Sequence, residues 1–234
     1  MTTQSPKPRL WVFEMGLYPR RVTVYLEEKG IADKFDIIPV AITMNGMENP
    51  KGKPPGTVPI LEIARPTADK PGRYIFQSSA ILEYFEDVYG SQGPDMRGST
   101  PGARARVREC MDVVNEVTAW LILYVQNGSV FYGIMKAQSR EAALEGLKRM
   151  QKALGILEGL ADENGPFLVG KSPTLVDCVL VATVQFAWSV YGIHMTETHQ
   201  RLKIVVDAFE ERGTAVFPEL PREMKELDMS MSVK

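Results

Sequence analysis

The stretch Val58-Pro59-Ile60-Leu61, followed across a hydrophilic loop by Phe76-Gln77-Ser78-Ser79-Ala80-Ile81, decides how the rest of the chain is read. A proline opening an apolar β-type run is tolerated at a first strand residue or at an edge, and the bond before it is the one peptide position where the cis form is cheap. Downstream, Ser78 has the chemistry of a helix cap ahead of Ile81, Phe85 and Val88. The free N–H groups and positive dipole end of such a helix favour a carboxylate. An exposed main-chain edge beside an anion-receiving helix start suits a small acidic peptide.

Outward from this stretch, residues 9–13 and 35–40 read as strands, and Tyr18, Val22, Tyr25 and Leu26 recur on one helical face between them until Gly30. Residues 58–63 and 74–76 read as a hairpin, with a helix over 78–89. This βαβ then ββα order predicts an α/β thioredoxin-like domain over residues 1–90. Residues 91–101, dense in Gly, Pro and Ser, read as a linker. Strand signals then stop. Helices are predicted at 103–126, 137–161, 174–191, 196–211 and 221–227, which makes 102–234 an all-α domain. In the second of them Ala143, Leu147, Met150, Leu154, Leu157 and Ala161 form one core-facing stripe.

Composition excludes several function classes. A net charge of −2, with basic residues scattered through 234 positions, offers no broad attraction for nucleic acid or an anionic membrane. Two cysteines, Cys110 and Cys178, are too few for a disulfide framework and lack metal or redox spacing, and the N-terminus carries no signal pattern, so a cytoplasmic setting is expected. The two histidines, His194 and His199, share a polar turn and read as surface residues rather than a metal site. The run 175–193 approaches the length of a membrane span. Asp177, Cys178, Thr183, Gln185 and Ser189 argue instead for a helix buried at the centre of a helical domain. Thr174 and Asp177 are the two halves of a capping box at its start.

These residues resemble the glutathione transferase superfamily, whose N-terminal domain carries a cis-Pro after Val and a Glu/Gln-Ser pair at the start of its third helix. The segment from Tyr18-Pro19-Arg20-Arg21-Val22 to Gly30 resembles the family's first helix, and Ser172-Pro173-Thr174-Leu175-Val176-Asp177 resembles the capping motif of its core helix. Asn49-Pro50-Lys51-Gly52 is similar to the loop before the cis-Pro, with Pro54-Pro55-Gly56-Thr57 added before Val58. The resemblance implies glutathione as cosubstrate, with Val58 and Pro59 meeting its cysteinyl unit, Gln77 and Ser78 its γ-glutamyl end, and Lys51 or Lys53 its glycyl carboxylate. It further implies a homodimer and an apolar electrophile or conjugated olefin as second substrate.

A free thiol titrates near ~8.5, so the protein must favour the thiolate. Aligned on the basic pair of the first helix, the family's usual Ser or Cys position falls on Gly16. A helix N-terminus and the Leu17 N–H supply roughly 0.3–1 kcal/mol, less than one pKa unit. A hydroxyl donor to a charged acceptor is worth about 1.5–3 kcal/mol, one to two units. Tyr18 is the nearest hydroxyl and the first candidate for catalytic donor, against an alternative as a packing aromatic. Arg104, Arg108, Asn115 and Tyr124 are further candidates. For the apolar subsite the reading selects Leu17, Arg108, Tyr124 and Tyr132, within an aromatic patch that also holds Phe131, Met135 and Trp120, the last assigned to core. Retained glutathione gives a conjugate. Addition to an olefin, bond rotation and elimination give cis/trans isomerisation, as in the maleylacetoacetate isomerase class. The competing reading is a transferase-like binding module without chemistry.

Overall fold

A computed structural model describes residues 6–43, 46–48, 50, 52–67 and 69–233, and the chain divides into two units, Met1–Asp95 and Met96–Lys234. The first runs β1 (Arg9–Val12), α1 (Leu17–Lys29), a single 3-10 turn, β2 (Asp36–Pro39), β3 (Ile42–Thr43), β4 (Gly46–Met47), β5 (Ile60–Ala64), β6 (Arg73–Ile75) and α2 (Ser78–Tyr89). It is the thioredoxin-like arrangement expected, a four-stranded sheet of order β2-β1-β5-β6, with β1 parallel to β2 and antiparallel to β5, and β5 antiparallel to β6. The small β3–β4 ribbon escapes sequence reading because two-residue strands carry no period.

Topology alone sets the working edge of this sheet. Both β1 and β6 are antiparallel to β5, so they point the same way. Helices α1 and α2 follow them directly and therefore start at the edge where those strands end, while β5, running opposite, begins there. Three chain segments thus converge on one rim.

Packing holds the helices in place. Tyr25 of α1 stacks on Phe85 of α2 at 5.9 Å between centroids, and its hydroxyl donates to Glu86 Oε1 at 2.6 Å. The Lys29 ammonium, fully buried, donates to the same carboxylate oxygen at 2.8 Å and to the Pro94 carbonyl at 2.6 Å. A buried charge of this kind persists because it is paired and hydrogen-bonded. Gly93, at φ 66°, passes so close that a Cβ there would lie 2.1 Å from the Lys29 carbonyl oxygen.

The second unit is all-helical: α3 (Pro101–Gly128), α4 (Val130–Met135), α5 (Arg140–Leu160), α6 (Leu175–Tyr191), α7 (Gln200–Glu210) and α8 (Arg222–Lys225). α3 packs against α5 and α6. Side chains close the helix starts. Thr100, Ser129 and Ser139 accept from the N–H groups of Ala103, Tyr132 and Ala142 at 3.1, 3.4 and 3.1 Å. At α6 the buried Asp177 carboxylate accepts from the Thr174 N–H and hydroxyl, both at 2.7 Å, and from the Leu168 N–H at 2.8 Å. Glu158, reaching from α5, accepts from the Arg201 and Leu202 N–H groups at the start of α7. No helix among the described residues is long and apolar enough to cross a membrane.

Several expectations need correction here. α7 begins at Gln200 rather than 196, and the stretch left between the first two predicted helices holds a further short helix, α4, opened by Ser129. His199 is buried at the start of α7 and is not a surface residue. Trp120, assigned to core, lies half-buried on the outer side of α3, its Nε1 donating to Glu116 and the Arg149 guanidinium over its ring at 4.8 Å.

Candidate functional site

At the rim where β1 and β6 end, both helix starts are open. α1 has Gly16 as N-cap, in an extended conformation with φ −68° and ψ 133°, no side-chain cap bond and no acidic residue in its first turn. Gly16 is spent on the turn itself, its N–H donating to the Phe13 carbonyl at 2.8 Å and its carbonyl accepting from Arg20 at 2.9 Å. A Cβ at this position would stand 3.1 Å from the Phe13 ring, the Phe13 carbonyl oxygen and Pro19 Cδ, tighter than ordinary packing. The absence of a side chain is therefore built into the turn.

α2 corrects one sequence expectation. Its N-cap is Gln77, at φ −100° and ψ 131°, and Ser78 is the first helical residue, so Ser78 does not cap the helix. The side chain of Gln77 makes no cap bond either, and the first turn again lacks an acidic residue. Gln77 is exposed and Ser78 buried, with the Ile81 N–H returning to the Gln77 carbonyl at 2.9 Å. Ahead of that bond, the N–H groups of residues 78–80 have no acceptor among the described residues.

The third segment supplies main chain. The Val58–Pro59 bond is cis, and β5 pairs with β1 only through Leu10↔Leu61 and Trp11↔Ile60, so the ladder stops two residues short of Val58. Its side chain is buried beside Trp11, Val40 and Ile60, leaving the N–H and C=O outside the ladder. Two orphan helix starts and an unpaired main-chain segment thus share one edge, a set of donors and one acceptor suited to an extended peptide with a carboxylate end.

The remaining candidates divide. Tyr18, second residue of α1, is 43% exposed, and the buried Arg21 guanidinium lies 4.9 Å from its ring centroid. Burial lowers the pKa of Arg21, and of its neighbour Arg20, to about 10, opposed by Tyr18 at the first and Glu14 at the second. Both stay cationic at neutral pH. No sequence signal marked Arg21, because a basic pair on a helix usually reads as a solvated face. The Lys53 ammonium donates to the carbonyls of Pro54 and Gly56 at 3.2 and 2.8 Å in the inserted loop. Lys51 lies outside the described residues. Leu17 is buried.

In the second unit Tyr124 is a core residue. It is packed with Ala143 and Val233, its hydroxyl donates to the Val233 carbonyl at 2.8 Å, and burial raises its pKa. The substrate role expected of it yields to a structural one, since a buried phenol takes the nearest acceptor. Arg108 is exposed on α3. Tyr132 is half-buried, packed on Phe131 and under the Lys136 ammonium, and burial pushes up the pKa of Tyr191. An open groove of about 700 Å³ lies between α6 and α7, with Trp188, Ile193, Met195 and Phe217 in its lining. None of the residues converging on the first unit's rim belongs to it.

Comparison with known proteins follows this division. Residues 16–88 match the family description "Glutathione S-transferase, N-terminal domain", and residues 137–214 match "Glutathione S-transferase, C-terminal domain". Glutathione S-transferase F9 of Arabidopsis thaliana is 32% identical over 144 residues, 60% of this chain and 61% of that relative. Glutathione S-transferase F10 of the same plant is 29% identical over 202 residues, 83% of this chain and 88% of that one. Among solved structures, a glutathione S-transferase of Methylobacterium radiotolerans in complex with glutathione sulfonate superposes with TM-score 0.71 at 17% identity, covering 92% of this chain and 97% of its own. Glutathione transferase Omega 3C of Trametes versicolor gives 0.65 at 23%, covering 91% and 84%.

Proposed function

The chain belongs to the glutathione S-transferase superfamily, and from that premise we propose that it binds glutathione at the first unit's rim and transfers its thiolate to an apolar electrophile. The observation carrying this reading is the pair of open helix starts flanking the unpaired Val58 main chain. In the proposed pose the Val58 N–H and C=O continue β5 onto the cysteinyl unit, and the first turn of α2, with Ser78 and Gln77, receives the γ-glutamyl carboxylate. The bound thiol loses its proton to solvent. Its sulfur then faces the start of α1.

There Gly16 supplies no hydroxyl, so Tyr18 is the hydrogen-bond donor to the sulfur in this reading. Gly16 also favours one variant of the reaction. Addition to a conjugated olefin, rotation and elimination regenerate glutathione and need only modest nucleophilicity once the olefin is oriented. A cis/trans isomerase therefore remains a form of the same function. Pairing of two chains about a two-fold axis and a cytoplasmic setting complete the proposal, by analogy with the family.

Crystals soaked with glutathione, together with calorimetry, test this. Density along Val58 with the γ-glutamyl carboxylate at the start of α2 is the expected result. An empty rim with no measurable heat rejects it, leaving a transferase-like module without chemistry.

A further inference from the structure

The groove between α6 and α7 has no part in the proposed reaction, yet its lining is chemically selective. Helix geometry puts it on a side of α6 turned away from α3. The Thr183 hydroxyl meets that of Thr118 on α3 at 3.3 Å, whereas Val184, Gln185 and Trp188, which line the groove, lie roughly 100–200° further round the axis. The aromatic patch read as an electrophile subsite is therefore not its wall. From α7 come Lys203, Val206, Asp207 and Glu210, spaced to share one face. Apolar surface stands open here, with Trp188 51% and Val216 74% exposed, and the volume of about 700 Å³ suits a small organic molecule. Both basic groups of the lining already face a carboxylate. The Lys203 ammonium is 2.6 Å from Asp207 Oδ2, and His194, packed on the Trp188 ring at 3.8 Å between centroids, is 3.5 Å from Glu197 Oε1. Glu210, exposed at the last residue of α7, has no side-chain partner among the described residues. The negative end of the helix dipole adds to its charge.

We propose that this groove is a second binding site, for a small amphiphilic cation: an aromatic body carrying an ammonium group, the body against Trp188 and Val216 and the charge toward Glu210. The site lies wholly within the second unit and does not depend on glutathione binding at the first unit's rim. Burying the apolar body against Trp188 and Val216 supplies most of the affinity, because that surface otherwise faces water. The charge supplies selectivity. An indole face attracts a cation, and an unpaired carboxylate attracts it further. An anion of the same shape meets Glu210 with the opposite sign, and a neutral molecule gains only the burial. Lys203 does not reverse this preference while Asp207 holds it.

The test is calorimetry at neutral pH with three probes that share a naphthyl body: naphthylethylammonium, naphthylethanol and naphthylacetate. The ammonium is expected to bind at one site, about threefold more tightly than the alcohol, with the carboxylate weakest. Trp188→Ala should weaken the ammonium about tenfold or more, since it removes the largest exposed apolar surface of the groove. Glu210→Gln should bring ammonium and alcohol to equal affinity while leaving the alcohol where it was. Both residues are exposed, and Val216→Arg at a third exposed position gives an independent variant, expected to make naphthylacetate the preferred probe. Affinities should be the same with and without saturating glutathione. Four results overturn the proposal: no heat with any probe, equal affinity for all three in the parent, indifference to Trp188→Ala, or displacement of the ammonium by glutathione. A solution mass that halves on Trp188→Ala also overturns it, by showing that a second copy of the chain covers the groove. None of these outcomes bears on whether glutathione occupies the rim, which is read separately from its own heat of binding.

Discussion

Helix starts in the two units are treated in opposite ways. In the second unit every helix of eight residues or more has its start closed by a side chain of the same unit: Thr100, Ser139 and Glu158 take first-turn N–H groups at α3, α5 and α7, and Asp177 takes the N-cap N–H of Thr174 at α6. In the first unit neither α1 nor α2 has a side-chain cap bond or an acidic residue in its first turn. Orphan N–H groups are costly unless water or a ligand takes them, so a chain that closes four starts and leaves two open on one edge has set those two aside. The difference separates donors that hold the fold from donors held ready for a ligand.

Breaking the strongest of the closed starts gives the largest expected effect. Asp177 is fully buried and accepts three hydrogen bonds, so Asp177→Ala should lower unfolding free energy by roughly 3 kcal/mol, measured by urea denaturation, because buried donors lose a charged acceptor. Burial also pushes this carboxyl from 3.8 up to about 6, against its donors. The folded value lies above the unfolded one, so the native chain retains a proton between roughly pH 4 and 6. The stability owed to that proton is complete below about 4 and is lost as pH rises through 6. Asp177→Asn should flatten this decline relative to the parent, and parallel profiles for the two proteins over that window would contradict it.

At the open starts the expectation inverts. Ser78→Ala should weaken glutathione binding by roughly 1–3 kcal/mol in calorimetry while changing unfolding free energy by less than about 0.5 kcal/mol, since no hydrogen bond of the Ser78 hydroxyl exists within the described protein. A variant that loses stability but keeps affinity would put Ser78 in the same class as Asp177 and erase the contrast.

What the sequence disclosed follows the range of the interactions involved. Local signals gave the βαβ-ββα order, the long helices and the α6 cap, because periodicity and capping act within a few residues. They failed where the partner is distant. Glu158 closes α7 from 43 residues away, and Tyr124 looked like a cleft aromatic because its acceptor, Val233, lies 109 residues on. Position was also misread by a single residue at α2, where Gln77 rather than Ser78 has the extended backbone of a cap. Such an offset lies within the ordinary uncertainty of helix ends, yet it changes Ser78 from a capping residue into a buried hydroxyl on the first turn. At the rim, Gly16 was legible as a missing hydroxyl. That Arg21 lies under Tyr18 was not, since a basic pair gives no sign of which member turns inward.

A moderate test of the closed class is Glu158→Gln. Its two oxygens take the Arg201 and Leu202 N–H groups at 2.8 and 2.9 Å, and an amide can replace only one of them as acceptor. A loss of about 1 kcal/mol in denaturation is expected, with glutathione affinity untouched.

The smallest effect separates a structural tyrosine from a catalytic one. Tyr124→Phe removes a single hydroxyl that donates to the Val233 carbonyl at 2.8 Å and leaves the ring to pack on Ala143 as before. A neutral hydrogen bond of this kind contributes about 1 kcal/mol or less. The cost should therefore appear as a slight fall in stability, with kcat and KM toward any accepted electrophile equal to the parent's. Tyr18→Phe is its mirror image, expected to leave unfolding free energy unchanged within about 0.5 kcal/mol while depressing kcat. If the two phenylalanine variants exchanged these signatures, Tyr18 would be a packing residue and the open start of α1 would lose its chemical purpose.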